Sequence, residues 1–390
     1  MKKAIVISFY ESGNLGDIEL SSCIDKLVEA KGYNILKYNF TTCKRIVKTK
    51  DPKQITLLNA VGKKKISLFK NIFRKLIGDK YYELLIWKFK IEKNWSNNEE
   101  FKSDLSNSDV VIFAGGNMIM DLSITWPYII KKYIDLISHY DKSFYFMYVG
   151  VGPLKYRESI KILKKSFKNV KGISVRDEIS KQIASKFVDE EKIKLTVDPV
   201  FLNGIEKISR IKSIIPLQIG ICVLGSMCFN NKQDFNVYLK GVERLIKLLI
   251  KKKNTNIILF STELMDYESI SIVNDNIKSD NVKVEHISSI DELVMLYDRI
   301  NFLVGGRMHS MILAQNRLLP FLGIQWQNKI LGFGKVTNSE YKMFSMKEFS
   351  KNTEKVCEII FNESTDLHML SNMQKKNLEL KYTVFKGNLL

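Results

Sequence analysis

The residues best suited to chemistry lie in the segment GGRMHS at residues 305–310, directly after an apolar run that predicts a buried strand. Arg307 and His309 are two residues apart, and in an extended loop residues at that spacing point to the same side. An arginine and a histidine beside the amides at the start of a helix are suited to binding an anion. Histidine titrates near neutral pH, so His309 could hold a phosphate or move a proton. A structural histidine is the alternative, and the Gly-Gly-Arg-x-His context favours a functional one.

Three more predicted strand ends carry glycine-rich motifs. GNLGD at residues 13–17 follows the first strand and opens a helix, but its spacing fits neither a dinucleotide-binding nor a P-loop fingerprint. Asp17 in this motif could be a catalytic carboxylate, a helix N-cap, or both. AGGN at residues 114–117, with Asp121 four residues further on, and GVGP at residues 150–153 permit close approach of a ligand. A tight turn is the alternative for both, and locally it is favoured.

Arg176 ends a further predicted strand, beside Asp177. Its planar, always charged guanidinium could bind an anionic ligand through two parallel hydrogen bonds. A structural ion pair with an aspartate is the alternative. Asp198, which precedes Pro199, is interpreted as a turn residue.

Strand-like runs alternate with helical ones, and this alternation must position the motifs. Strands are predicted at residues 4–9, 110–114, 143–149 and 172–175, with a helix at about residues 17–31. After residue 205 the alternation restarts, with strands at 218–224, 256–261, 282–286 and 301–304 and helices at 235–251, 267–278, 290–298 and from about His309. Short apolar strands separated by helices predict parallel sheets covered on both faces. Two such series predict an α/β fold of two doubly wound domains.

The chain resembles the polysaccharide pyruvyl transferase family across most of residues 5–335. The resemblance depends on six motifs that occur in this order: GNxGD, AGGN, GVGP, VRDxxS, DPVF and GGRxHS. The resemblance implies a GT-B-like architecture, with two Rossmann-like domains facing across a cleft and a C-terminal helical segment packing back. The expected N-terminal domain spans residues 1–205 and carries a basic helical insertion at about 44–100. A candidate linker at 204–216 leads to a C-terminal Rossmann-like, donor-binding domain at 217–345. A C-terminal helical segment follows at 346–390. The sequence departs from the family where Trp326 to Lys329 read WQNK instead of aromatic-Asp-x-Lys.

The resemblance implies transfer of pyruvate from phosphoenolpyruvate to a sugar of a cell-surface polysaccharide or its lipid-linked precursor, as a ketal, with release of phosphate. Family motif positions imply donor binding by Arg307, His309, Arg176, Gly305, Gly306, Ser310 and Lys329. They imply an acceptor-side cleft formed by Asn14, Gly16, Gly115, Gly116, Asn117 and Asp121. His309 and, after it, Asp17 are the expected catalytic acid or base residues, with Asp121 as the reserve candidate. The alternative is a GT-B glycosyltransferase of exopolysaccharide synthesis that uses a nucleotide sugar, whose diphosphate Arg307 would bind.

The net positive charge of the chain bears on which anionic partners it could bind. The 390 residues include 61 Lys and Arg against 42 Asp and Glu, a net charge of +19. Residues 44–93 alone hold fifteen basic residues against four acidic ones. Aromatic and apolar residues recur there at helical spacing, as in helices that lie on anionic membranes. A solvated helical insertion is the alternative. Motifs for nucleic-acid binding are missing from the sequence, so no nucleic-acid partner is expected.

We expect no cofactor and no metal, because phosphoenolpyruvate carries its own activation and the chain has only four histidines. Its five cysteines are expected to be reduced thiols. No apolar stretch reaches the roughly 18 to 20 residues that a membrane-spanning helix needs. The expected location is the cytoplasm, with a peripheral association at the inner face of the membrane. A homo-oligomer is compatible with the sequence.

Overall fold

The computed structural model describes residues 2–47, 79–86, 95, 98–204, 216–229, 231–252, 254–364 and 366–390. The chain forms two compact units. Unit 1 comprises Met1–Ser12, Asp17–Pro199 and Thr383–Leu390, and unit 2 comprises Gly13–Gly16 and Val200–Tyr382. Most of the basic insertion and of the linker predicted at residues 204–216 lies outside the described residues. The domain boundaries and the membrane-binding insertion therefore stay predictions.

Unit 1 contains a parallel six-stranded sheet. Its strands are β1 (Lys2–Ser8), β2 (Tyr33–Asn39), β3 (Val110–Ala114), β4 (Ser143–Val149), β5 (Gly172–Val175) and β6 (Ile193–Leu195), in the order β2-β1-β3-β4-β5-β6. All five residues of β3 are buried, which explains its uninterrupted apolar sequence. The strand order reverses between β1 and β3. In doubly wound sheets, ligands bind outside the carboxyl ends of the strands at such a reversal.

Helices cover the sheet of unit 1. They are α1 (Leu15–Glu29), which starts in the segment assigned to unit 2, α2 (Asp79–Ile86), α3 (Glu99–Ser106), α4 (Thr125–His139), α5 (Arg157–Ser166) and α6 (Glu178–Ala184). Helix α4 buries Ile130, Tyr133, Ile134 and Ile137, whose spacing of three and four residues places them on one face. The core they enter is aromatic, with the rings of Phe113 and Phe146 stacked 4.2 Å apart.

Unit 2 contains a second parallel sheet of six strands. They are β7 (Leu217–Cys222), β8 (Thr255–Phe260), β9 (Val282–Val284), β10 (Phe302–Gly305), β11 (Phe321–Gln325) and β12 (Met343–Ser345), in the order β12-β11-β10-β7-β8-β9. The order reverses between β7 and β10. The GGRMHS motif follows β10, so it lies at the reversal point of this sheet.

Eight described helices follow the strands of unit 2 or extend from it. They are α7 (Lys232–Lys251), α8 (Tyr267–Ile277), α9 (Ile290–Arg299), α10 (Met308–Asn316), α11 (Asn328–Thr337), α12 (Met346–Lys351), α13 (Thr353–Glu363) and α14 (Leu367–Gly387). Helix α10, which follows the central strand β10, is buried from His309 to Asn316. The last residues of α14 belong to unit 1, so the C-terminal helical segment contributes to both units.

The two parallel α/β units confirm the fold class predicted from the alternation of strands and helices. Within the described ranges, none of the helices has the combined length and apolar character needed to cross a bilayer.

Candidate functional site

The candidate donor site of unit 2 lies where four loops leave the carboxyl ends of parallel strands. Gly225 follows β7, Asp266 follows β8, Arg307 follows β10 and Trp326 follows β11. Carboxyl ends of parallel strands share one edge of the sheet, so residues far apart in sequence come into contact there. The contacts described below for Arg307, Asp266, Trp326 and His309 are made within this unit.

Arg307 is held by a buried carboxylate. Its Nε lies 2.9 Å from Oδ2 of Asp266 and its Nη2 lies 2.6 Å from Oδ1. The side chain of Asp266 is 1% exposed and that of Arg307 is 15% exposed. Burial alone would lower the pKa of Arg307, but the hydrogen bonds and charge of Asp266 outweigh it, and the pKa is raised above its ordinary value. Arg307 is therefore a fixed cation with an adjacent counter-charge.

Asp266 accepts two further hydrogen bonds. The amide of Gly225 donates to Oδ1 at 2.8 Å, and the hydroxyl of Ser261 donates to Oδ2 at 2.7 Å. Four donors from the loops after β7, β8 and β10 thus converge on one carboxylate, as a buried charge requires. Asp266 is not among the site residues predicted from the sequence. Its only signal in the sequence is that of an acidic residue shortly after a predicted strand.

Trp326 joins the predicted donor residues to one another. Its indole Nε1 donates to the carbonyl of Gly306 at 2.9 Å. The guanidinium carbon of Arg307 lies 5.5 Å from the ring centroid, and Nζ of Lys329 lies 5.4 Å from it. Both separations are within the range of cation–π attraction. The divergent WQNK segment thus brings Lys329 to the same ring as Arg307, and donor binding by Lys329 stays a prediction.

His309 contacts the first glycine-rich motif of the chain. It lies in the first turn of α10 and is 8% exposed. A Cβ atom added to Gly16 would lie 2.0 Å from Nδ1 of His309 and 2.3 Å from its Cβ. A side chain at position 16 is therefore excluded by the imidazole. The structure brings together GNxGD and GGRxHS, the two motifs on which the family resemblance mainly depends.

The loop after β8 secures this contact. The amide of Leu15 donates to the carbonyl of Thr262 at 3.3 Å, and Asn14 forms an antiparallel bridge with Glu263. Oδ1 of Asn14 also accepts from the amide of Gly16 at 2.8 Å. The same loop continues to Asp266. One connection thus contacts both the glycine motif and the arginine.

Asp17 directly follows Gly16 in the sequence. It belongs to unit 1, and its Oδ2 accepts a hydrogen bond from the Ser12 hydroxyl at 3.2 Å. Helix α1 begins at Leu15, so the N-cap interpretation of Asp17 is wrong, and the side chain of Asn14 performs that role. The catalytic role of Asp17 stays a prediction.

Ser310 supports the arginine loop from within. Its hydroxyl donates to the carbonyl of Arg307 at 2.6 Å, and its own carbonyl accepts from the Tyr297 hydroxyl at 2.9 Å. Gly305 ends β10, and Gly306 accepts the bond from Trp326. These contacts shape the loop. Direct donor binding by the three residues stays a prediction.

In unit 1, Arg176 forms a buried ion pair with Asp198, through Nη1 and Oδ2. This is the structural alternative considered for Arg176, but the partner is Asp198, which the sequence analysis interpreted as a turn residue. The neighbouring Asp177 instead caps α6, accepting from the amide of Ser180 at 2.7 Å. Whether Arg176 also binds the donor stays a prediction.

The AGGN motif is tied to the loop at residues 150–153. Asn117 donates to the carbonyl of Gly152 at 2.8 Å. Asp121 is 1% exposed and accepts from the amides of Lys155 and Tyr156, both at 2.8 Å. These bonds give Asn117 and Asp121 a structural role.

Gly115 and Gly116 have φ angles of 61° and 67°. Few other residues adopt this left-handed conformation, so the two glycines form the tight turn that was the favoured alternative. Contact of Gly115, Gly116, Asn117 and Asp121 with an acceptor stays a prediction.

A model of the family described as polysaccharide pyruvyl transferase matches residues 14–324. No curated protein sequence matches the chain significantly.

Solved structures similar to the chain include Anabaena HepE in complex with UDP and glucose, at 10% identity and a TM-score of 0.58, covering 100% of this chain and 97% of that one. The UDP-GlcNAc 2-epimerase of Methanocaldococcus jannaschii is 13% identical with a TM-score of 0.53, covering 99% and 100%. S. aureus MnaA with UDP is 10% identical with a TM-score of 0.52, covering 96% and 91%. Such neighbours, GT-B glycosyltransferases and epimerases, show that the fold is of the GT-B type.

Proposed function

The chain belongs to the polysaccharide pyruvyl transferase family, and from this we propose that it transfers pyruvate from phosphoenolpyruvate to a saccharide as a ketal, with release of phosphate. The observation that carries the proposal is the assembly of Arg307, Lys329 and His309 at the reversal point of the unit 2 sheet. The acceptor is a sugar of a cell-surface polysaccharide or of its lipid-linked precursor.

The cations of this site are suited to the two anionic groups of the donor. Phosphoenolpyruvate carries a carboxylate and a phosphate, and Arg307 and Lys329 supply two positive charges around one indole ring. A guanidinium has five N–H groups. Asp266 accepts hydrogen bonds from the N–H group on Nε and from one of the two N–H groups on Nη2. It does not accept from the second N–H group on Nη2 or from the two on Nη1. Those groups can bind an oxyanion, and partial burial strengthens such a bond relative to one in water.

The reaction needs two proton transfers. In the first step an acceptor hydroxyl oxygen adds to C2 of phosphoenolpyruvate while C3 takes up a proton and becomes a methyl group. In the second step the bond between C2 and the phosphate oxygen breaks, and a second hydroxyl oxygen adds to C2. Of the two hydroxyl protons, one balances the proton taken up by C3 and the other leaves with the phosphate. We assign the proton transfer at C3 to His309 and removal of an acceptor proton to Asp17.

The test measures phosphate release from phosphoenolpyruvate with a panel of lipid-linked and nucleoside-diphosphate-linked saccharides. We expect release that depends on an acceptor and falls by about 100-fold or more in Arg307→Ala and in His309→Ala. Arg299→Ala is the matched control, because Arg299 also forms a bidentate pair, with Glu285, but is 55% exposed. Release that survives both site substitutions unchanged would contradict the site assignment.

The second candidate is a glycosyltransferase that uses a nucleotide sugar. HepE and MnaA have similar folds, and their structures contain UDP. Protection of this chain against thermal unfolding by a UDP-sugar, but not by phosphoenolpyruvate, would favour this candidate over pyruvyl transfer.

Location and cofactor use complete the proposal. We place the protein at the cytoplasmic face of the membrane, with residues 44–93 in contact with anionic lipid, because that segment holds most of the excess positive charge. No metal or other cofactor takes part in the proposed steps. Activity should therefore persist after exhaustive dialysis against EDTA, and its loss there, with restoration by a divalent cation, would contradict this part.

A further inference from the structure

We propose that Asp266 is the positioning residue of the donor site: it fixes the plane of the Arg307 guanidinium and so selects the N–H groups that face an anionic donor. The identity of the donor in this proposal rests on the proposed function. The contact between the two side chains does not, because it is made within unit 2 alone.

The first argument is the geometry of the pair. Two parallel hydrogen bonds, from Nε and Nη2, define a plane, whereas a single bond would let the guanidinium rotate. Asp266 is itself fixed by the amide of Gly225 and the hydroxyl of Ser261. Since Asp266 is 1% exposed, water cannot replace these donors. The orientation of Arg307 is thus set by the loops after β7 and β8.

The second argument is that the other contact of Arg307 cannot do the same. The Trp326 ring lies 5.5 Å from the guanidinium carbon and attracts its charge. A cation–π contact restricts the distance of a guanidinium from the ring more than its rotation. Without Asp266, Arg307 would keep its charge and its aromatic neighbour but lose its defined orientation.

For the Asp266→Asn variant, this positioning role and simple electrostatics predict opposite changes in the affinity for an anion. Asp266→Asn removes a negative charge next to the anion site, so Coulomb attraction alone predicts tighter binding of an anion. Positioning predicts weaker binding. Either orientation of the asparagine amide puts an N–H group against an Arg307 N–H group, which breaks the bidentate contact.

The experiment measures the dissociation constants of phosphoenolpyruvate and inorganic phosphate by calorimetry, for the wild type, Asp266→Asn, Arg307→Ala and the double variant. We expect about tenfold weaker binding in Asp266→Asn. The double variant should bind no more weakly than Arg307→Ala, because Asp266 acts through Arg307. Glu285→Gln, which breaks the exposed pair with Arg299, is the control and should change binding by less than twofold.

Equal or tighter binding in Asp266→Asn, or effects of the two substitutions that add fully, would overturn the proposal. So would a wild type that binds neither phosphoenolpyruvate nor phosphate. A wild type that binds them but forms no ketal would refute the proposed function and leave the positioning role standing.

A second measurement does not need a substituted protein. With ¹⁵N-labelled arginine, the Nε–H of Arg307 should stay hydrogen-bonded and protected from exchange when phosphate is titrated in. Loss of that protection on phosphate binding would show that the anion displaces Asp266, which also overturns the proposal.

Discussion

Replacing Gly16 by alanine should damage catalysis more than stability, because the added methyl group would occupy the position of the His309 imidazole. The new Cβ would lie 2.0 Å from Nδ1, 2.1 Å from Cγ and 2.3 Å from Cβ of His309. Carbon atoms normally meet at about 3.5 to 4.0 Å. The nearest atoms include the histidine Cβ, which the α10 backbone fixes, so a rotation of the ring cannot relieve the overlap.

The backbone at Gly16, the α10 backbone, or both must therefore move by about an ångström. Overpacking of this kind typically costs about 1–3 kcal/mol of the free energy of unfolding. A misplacement of about 1 Å in a catalytic group can cost roughly 100-fold in rate. We expect Gly16→Ala to stay folded, with a stability loss in that range, and to release phosphate from phosphoenolpyruvate about 100-fold more slowly than the wild type.

The assay combines urea unfolding with acceptor-dependent phosphate release. Gly32→Ala is the control, because Gly32 has a φ of 82° and an added Cβ there would have no neighbour within 4 Å. That variant should lose about 1–2 kcal/mol through backbone strain and keep its activity. If Gly16→Ala and Gly32→Ala lose stability equally and both keep wild-type turnover, the contact between Gly16 and His309 has no catalytic importance and the reasoning fails.

Three further predictions concern Trp326, a buried cysteine and the basic segment. Trp326→Phe should keep most donor affinity, since a ring remains beside Arg307 and Lys329, whereas Trp326→Leu should weaken phosphoenolpyruvate binding several-fold in calorimetry. Burial raises the pKa of Cys228 to about 11, so its alkylation by iodoacetamide at pH 8 should be slower than that of free cysteine by about two orders of magnitude. Vesicles containing anionic lipid should co-sediment the full chain at low salt, and a variant with the lysines of residues 63–65 changed to glutamate should stay in solution.

The strands whose bounds the sequence predicted correctly are mostly apolar and buried. β3, β4 and β5 have the predicted bounds, because burial on both faces leaves an apolar run that a sequence pattern can detect. The strand β2 has a mixed composition, with an exposed or half-buried first part, as expected for an edge strand. β12 is an edge strand of only three residues. Such elements are specified by pairing with a neighbour, which a local pattern does not contain.

In the candidate site, too, a local sequence pattern predicted some residues and could not predict others. Arg307 and His309 were predictable, because glycines at a strand end followed by a cation and a histidine form a local motif. Asp266 lies 41 residues before Arg307 and follows β8, which is separated from β10 by β7. Only the strand order of the sheet brings the two together. The carboxylate that pairs with an arginine of a known motif thus depends on the strand order of the sheet, which a local sequence pattern does not contain.

Both arginines singled out in the sequence turn out to be paired with buried aspartates: Arg307 with Asp266, and Arg176 with Asp198. A guanidinium with little exposure needs a counter-charge, because the cost of removing an isolated charge from water is large. A donor anion at Arg307 therefore meets an oriented ion pair in which one unit of charge is already balanced. Specific orientation, more than excess positive charge, must then provide the affinity. Residues 44–93 hold more than half of the net charge of +19, so salt should weaken membrane binding through that segment much more than donor binding.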